Sequence, residues 1–167
     1  MLRDSRFVPQ AIKITLKGPF SCLNNARYGI AWGVIGALEG ALNLARTYSL
    51  ERNQFGNPLA KYQLVQVKLA QAVTDVAYGL LAAWQVGKLK DAGGVAPGMI
   101  SMIKRQNCDR ALVGVRILQE IFGGNAVSDE YQIGRIAHNL HVVQTVFSPL
   151  KRANSSMRDN LIFMPWC

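Results

Sequence analysis

Three polar features of this 167-residue chain could carry chemistry: Arg27, Arg52 and the glycine pair Gly123-Gly124. A guanidinium is a planar, permanently charged fork that grips phosphate, although an Arg on a helix is more often exposed or ion-paired. A Gly-Gly-Asn run after a helix commonly does no more than end it. The same run also lets backbone N–H groups approach a phosphate-bearing ligand. The residues alone leave both readings open. His138 and His141 lie three residues apart on one expected helix and offer two metal ligands. No Cys or carboxylate at matching spacing completes a set, so no metal centre is expected. Asp129-Glu130 is a carboxylate pair, but both fall in the first turn of an expected helix, where the dipole favours acids. No spacing supports Ser-His-Asp or Cys-His catalysis.

Helices must position these residues. From about Asn24 to Ser49, Ile30, Val34, Leu38, Ala41, Leu42 and Ala45 recur at three- and four-residue steps. Gly29, Gly33, Gly36 and Gly40 share one face of that helix. Each costs about 1 kcal/mol against Ala, so a second backbone is expected to approach there. Phe55-Gly56-Asn57-Pro58 breaks the pattern. A second helix is expected from about Leu59 to Lys90, with Leu64, Val67, Leu69, Val73, Val76, Leu80, Leu81 and Trp84 facing inward. A third runs from Pro97, a favoured first-turn residue, to Phe122, with Ile100, Ile103, Ala111, Leu112, Val115 and Leu118 inward. A fourth spans about Asp129 to Leu140, and a short strand is possible near Ala11–Leu16. Long helices joined by short turns predict an all-α, antiparallel bundle.

Composition narrows the class further. Half of the chain is apolar and 17% is charged, which excludes a disordered tail, a collagen-like repeat and a disulfide-rich miniprotein. Three scattered cysteines make neither a disulfide framework nor a thiolate zinc site, and favour a reducing compartment. The net charge of +9 is concentrated at the ends: residues 1–18 and 148–167 supply +5, leaving +4 for the body. No Arg/Lys run exceeds two residues, so nucleic-acid binding is unsupported. Met1–Pro9 lacks the apolar core of a secretory signal. Tyr28–Ala45 is interrupted by Glu39 and Asn43, and reads as a buried helix rather than a transmembrane segment.

Three stretches, GPFSCLNNARYGIAWG (18–33), ERNQFGNPLAKYQLVQVKLA (51–70) and IFGGNAVSDEY (121–131), stand in order and at matching spacing in a known family. Together they resemble the acyl-CoA dehydrogenase family from about Phe7 to Thr145, and FSCLNNARYGIAWG points to its glutaryl-CoA branch. The resemblance implies a flavoenzyme, usually a homotetramer, of which this chain would carry the C-terminal four-helix domain. Residues 1–18 would be the end of the preceding β domain, 19–145 the bundle, and 146–167 an unrelated tail in place of the last helix. The implied activity is FAD-dependent oxidation and decarboxylation of glutaryl-CoA to crotonyl-CoA in lysine and tryptophan breakdown, with electrons passing to electron-transfer flavoprotein. The implied location is the mitochondrial matrix in a eukaryote or the cytoplasm in a bacterium.

The resemblance also implies site residues. Phe20, Ser21, Cys22, Leu23, Asn24, Asn25, Ala26 and Arg27 match the substrate-binding stretch, with Arg27 suited to the CoA moiety. Arg52, Phe55 and Gln63 match FAD-contacting positions. So do Glu120, Ile121, Phe122, Gly123 and Gly124, a run that relatives use across a subunit boundary. Ala126 departs from the family's usual glycine. The largest departure is catalytic. Relatives carry the general base in a Tyr-Glu-Gly-Thr motif, where this chain has Val146, Phe147, Ser148 and Pro149. Some relatives place it directly before the first-helix Arg, where this chain has Ala26. With neither position acidic, the chain is expected to be inactive alone. The alternative is a non-catalytic assembly module that associates with full-length dehydrogenase subunits.

Overall fold

A computed structural model describes residues 17–145, with side chains from Ser21 onward except that of Pro97. The expected strand near Ala11–Leu16 and the segment 146–167 lie outside the described residues. Four helices dominate: α1 (Lys17–Glu51), α2 (Gln63–Asp91), α3 (Pro97–Phe122) and α4 (Ile133–Thr145). Between α1 and α2 lies a small hairpin, β1 (Asn53–Gln54) and β2 (Asn57–Pro58), paired antiparallel with Asn53 opposite Pro58. A 3₁₀ turn at Leu59–Lys61 follows the hairpin, and two more, Gly123–Val127 and Asp129–Tyr131, link α3 to α4.

The helices pack as an all-α bundle with α3 at its centre. Its stripe of Ile100, Ile103, Ala111, Leu112, Val115 and Leu118 is buried throughout, as the periodicity requires. Val34, Leu38, Ala41 and Ala45 of α1 close on that stripe from one side, and Ile133 and Leu140 of α4 join the same core. One polar side chain is built into it. Asn107, 3% exposed, donates from Nδ2 to the carbonyls of Ala31 (3.0 Å) and Gly79 (3.3 Å), tying α1, α2 and α3 together. Paired this way it avoids the cost of a buried unsatisfied amide, about 1–3 kcal/mol.

Four expectations need correction. First, α2 turns its small residues inward. Ala72, Gly79, Ala83 and Val86 are buried, whereas Leu64, Val67, Val73, Leu80, Leu81 and Trp84 are exposed. Hydrophobic periodicity marks a face that wants cover but does not say what covers it. Second, among the described residues nothing approaches the glycine face of α1: a Cβ on Gly29, Gly33, Gly36 or Gly40 would meet no atom within 4 Å. The closest approaches are at Gly79 and Gly87 of α2, where a Cβ would strike Ile35 and the Tyr28 hydroxyl of α1, and at Gly114, where it would meet Leu38. Third, α1 begins before Asn24, and α2 begins at Gln63 rather than Leu59 because Leu59–Lys61 winds as the tighter turn. Fourth, Asp129 and Glu130 belong to a separate 3₁₀ turn capped by Ser128, whose Oγ accepts from the Glu130 N–H. The α4 helix starts only at Ile133 and runs on to Thr145.

Candidate functional site

The C-terminal end of α1 meets the turn after α3 through aromatic rings. Tyr48 stacks on Phe122 with centroids 4.5 Å apart, and Tyr131 sets its edge against both rings. Asn125 Nδ2 donates to the Tyr48 hydroxyl at 2.9 Å. From α2, Lys68 Nζ reaches Glu120 Oε2 at 2.7 Å, which holds the start of α2 against the end of α3. Arg52, the hairpin, Gln63 and the run Glu120–Gly124 are thereby gathered at one end of the bundle. A cleft of about 420 Å³ opens beside the three rings, lined by Asn43, Thr47, Tyr48, Glu51, Glu130 and Tyr131 among others.

Local geometry at this end turns an aromatic ring, a guanidinium and a glycine turn outward. The hairpin loop is only Phe55 and Gly56, with φ of +52° and +77°. Two positive φ values in a two-residue loop suit Asn-Gly, and cost a bulky residue such as Phe. The loop is braced all the same, by the Tyr62 hydroxyl donating to the Gln54 carbonyl and Lys61 Nζ donating to Asn57 Oδ1, each at 2.8 Å. Phe55 stands at the tip, 91% exposed. Gly123 takes φ +55°, and both Gly123 and Gly124 are open to solvent. Arg52 and Gln63 are exposed and their side chains have no partner among the described residues. Ile121 and Phe122 are core residues, so only their backbone can serve a ligand. Glu120 is already engaged by Lys68. An unpaired guanidinium, an amide side chain and an open glycine turn fit an extended anionic group such as a dinucleotide diphosphate.

The stretch 20–27 lies at the other end of α1. Arg27 and Arg52 are 25 residues apart, which at the helical rise is about 37 Å. Ser21, Cys22 and Asn25 are exposed, and Leu23, Asn24, Ala26 and Arg27 are half-buried. Phe20 lies in α1, without a described side chain. The Tyr28 hydroxyl donates to the Ala83 carbonyl at 3.3 Å, and the Lys90 ammonium stands 5.6 Å from the Tyr28 ring, docking this end on the last turns of α2. Arg27 Nε is buried and has no acceptor among the described residues. A buried charged donor left unmatched is costly, so an outside oxygen acceptor is favoured there. Ala26 brings no carboxylate beside it, and Phe147 lies outside the described residues.

His138 and His141 are both exposed on α4, and no group of three or more metal-binding side chains occurs among the described residues. No described helix is long and apolar enough to cross a membrane. Lys104, 2% exposed, donates to the carbonyls of Val143 (3.1 Å) and Gln144 (3.4 Å), and so holds the last turn of α4 against α3. Burial pushes the neighbouring Cys108 thiol above its ordinary range, against the opposing pull of Lys104.

The sequence singled out Arg27, Arg52, Glu120 and the Gly-Gly-Asn turn but did not mark out Tyr48, Tyr131 or the pairing of Lys68 with Glu120. Tyr48 and Tyr131 carried a usable signal, since each is an amphipathic ring about two helical turns from a predicted breaker, Tyr48 before Phe55 and Tyr131 after Asn125.

Residues 19–146 match the family described as "Acyl-CoA dehydrogenase, C-terminal domain". The chain is 30% identical over 121 residues to the 3-(aryl)acrylate reductase of Clostridium sporogenes (strain ATCC 15579), covering 72% of this chain and 32% of that protein. It is 30% identical over 117 residues to the glutaryl-CoA dehydrogenase of Desulfococcus multivorans, covering 70% and 30%. A solved glutaryl-CoA dehydrogenase from Mycobacterium smegmatis in complex with FADH2 superposes with a TM-score of 0.82 at 37% identity, over 87% of this chain and 38% of that one. The chain thus spans about a third of the length of the curated relatives it matches. With the bundle, the glycine turn and the match over most of its length in agreement, the chain belongs to the acyl-CoA dehydrogenase family and carries that family's C-terminal domain.

Proposed function

We propose that this chain is the C-terminal, ligand-docking bundle of an FAD-dependent acyl-CoA dehydrogenase whose substrate is glutaryl-CoA. The observation that carries this reading is the placement of two anion-suited ends on one helix. Arg27 has an unmatched buried donor at one end, and Arg52 stands with the open Gly123-Gly124 turn at the other. Arg27 and its neighbours Phe20–Ala26 would take the acyl-CoA. Arg52, Gln63 and the backbone of Gly123-Gly124 would hold the FAD diphosphate, with Phe55 against the cofactor. FAD, when bound, supplies the hydride acceptor. Ala26 has no group that can remove the substrate's α-proton, so the bundle's part is binding and orientation.

Within this reading the product is crotonyl-CoA, electrons leave through electron-transfer flavoprotein, and the protein assembles as a homotetramer. Its place is lysine breakdown, in the mitochondrial matrix of a eukaryote or the cytoplasm of a bacterium. Support for the glutaryl branch comes from the stretch 20–33 and from the glutaryl-CoA dehydrogenases among its relatives. Residues 1–18 and 146–167 are read as a β-domain remnant and an unrelated tail.

Flavin fluorescence on the purified chain tests the cofactor site: saturable FAD binding is expected, with Arg52→Ala weakening it by about tenfold or more. Unchanged binding in Arg52→Ala would remove the assignment. Supplied with FAD, glutaryl-CoA and an artificial electron acceptor, the chain alone should show no turnover, and clear activity would sink the proposal that it lacks a base. The missing carboxylate at Ala26 favours a second reading, a non-catalytic module docked on full-length subunits. Co-purification that recovers no full-length partner would count against it.

A further inference from the structure

The cleft beside the three rings has a chemistry that the arginines and the glycine turn do not share. Helix α1 contributes Asn43, Thr47, Tyr48 and Glu51 to its lining, and the 3₁₀ turn before α4 contributes Glu130 and Tyr131. Two carboxylates thus reach one cleft from two elements. Both are exposed, and neither has a hydrogen-bond or ion-pair partner among the described residues. No Lys, Arg or His lines the cleft. Arg135, in the first turn of α4, donates to Gln132 Oε1 at 2.9 Å and pairs with neither carboxylate.

The end of α1 adds to this field. A helix C-terminus carries about half a negative charge, which a basic last turn offsets. Lys88 and Lys90 do so for α2, but α1 has no base in its last turn. On a chain of net charge +9 the cleft is therefore locally negative, and at physiological salt charges beyond about 8 Å are screened from it. The rings favour the same occupant, since an aromatic face attracts a cation within about 6 Å of its centre. Asn125 Nδ2 already holds the Tyr48 hydroxyl at 2.9 Å, so that ring is fixed before a ligand arrives.

We infer that this cleft binds an organic dication, two ammonium or guanidinium groups joined by a short apolar chain. Glu51 and Glu130 take the charged ends, and the rings with Leu44 take the methylenes between them. A hard metal ion fits less well, since it asks for about six oxygen ligands and no group of three or more metal-binding side chains occurs among the described residues. At about 420 Å³ the cleft has the size of a small-ligand site. The inference does not rest on the FAD or acyl-CoA reading: Arg52, Gln63, Gly123 and Gly124 are not in the lining.

Amide NMR of the full 167-residue chain, titrated with agmatine at a fixed ionic strength of about 0.15 M, tests this. Saturable shifts are expected at Asn43, Thr47, Glu130 and Tyr131. Glu51→Gln and Glu130→Gln should each weaken binding about fivefold or more, as the loss of a charge-assisted contact does. Glu39→Gln, on α1 but outside the cleft, should leave it unchanged. Tyr131→Leu should weaken it about threefold, which plain charge attraction does not predict. Butylamine, with one charge, should bind about fivefold more weakly than agmatine. Shifts that stay linear in agmatine overturn the inference. So does equal weakening by Glu39→Gln, or an affinity that Glu51→Gln, Glu130→Gln or Tyr131→Leu leaves unchanged. FAD binding is read separately by flavin fluorescence, so either reading can fail without the other.

Discussion

The two ends of α1 are made differently. At the C-terminal end, Tyr48, Phe122, Tyr131, Asn125 and the Lys68–Glu120 pair satisfy one another before any ligand arrives. At the N-terminal end, Arg27 keeps a buried donor for which the described chain has no acceptor. One end is finished and presents an outer surface, with Arg52, Phe55 and the glycine turn exposed. The other is unfinished until something fills it. The two ends stand about 37 Å apart along a continuous helix, so a group seated at one touches nothing at the other.

Substitutions that spare one end sharpen this contrast. The largest effect is expected from Phe122→Ala, which removes the buried ring beneath Tyr48 and should cost about 3–5 kcal/mol in urea unfolding. A loss under about 1 kcal/mol would mean that the aromatic cluster does not hold the end together. Gly123→Ala should cost about 1 kcal/mol, because φ +55° strains any residue with a Cβ. It should also weaken FAD, whereas glutaryl-CoA affinity stays as it was. Arg27→Met should move the unfolding midpoint least, within about 0.5 kcal/mol and in either direction, since it deletes a donor that the described fold does not use. Weakened acyl-CoA binding with unchanged stability would place Arg27 at the ligand; a large stability loss would make it a structural residue.

The smallest effect concerns thiols. Cys22, exposed near Arg27, should be alkylated at neutral pH while Cys108 resists, because burial disfavours its thiolate. The raised thiol pKa contributes stability that is complete below the ordinary thiol range and is lost as pH rises through the raised value. Peptide mass spectrometry after brief alkylation reads the difference, and equal labelling of Cys22 and Cys108 would break it.

Most of the fold was legible in the sequence wherever a strong local rule operates. The bounds of α3 follow from Pro97 at its first turn and Gly123-Gly124 at its end, and the end of α1 from the Phe55–Pro58 breaker. The face of α2 was read only in part: Leu69 and Val76 pack on the core as the periodicity implies, but the rest of the stripe does not. Its fully buried residues are mostly small, Ala72, Gly79 and Ala83 beside Val86, with weak hydropathic weight, while Leu64, Val67, Val73, Leu80, Leu81 and Trp84 are exposed. The glycines of α1 misled for the same reason, since composition does not distinguish a face approached within the chain from one open to solvent. Of the site, the charged and glycine positions were readable. The hairpin was not: two-residue strands show no alternation, and an exposed Phe at positive φ contradicts local preference. Such a conflict is settled by tertiary context.

Asn107 has a consequence for how the bundle opens. Its amide holds carbonyls of α1 and α2 from a position on α3, so α3 cannot leave without breaking its ties to both, and either neighbour leaving uncovers a buried amide. Amide hydrogens around Ala31, Gly79 and Asn107 are therefore expected to exchange with solvent only when the whole domain unfolds. The hairpin and the α3–α4 turns, tied by fewer bonds, can fluctuate on their own. The bundle is thus a slow-exchanging centre between ends free to adjust.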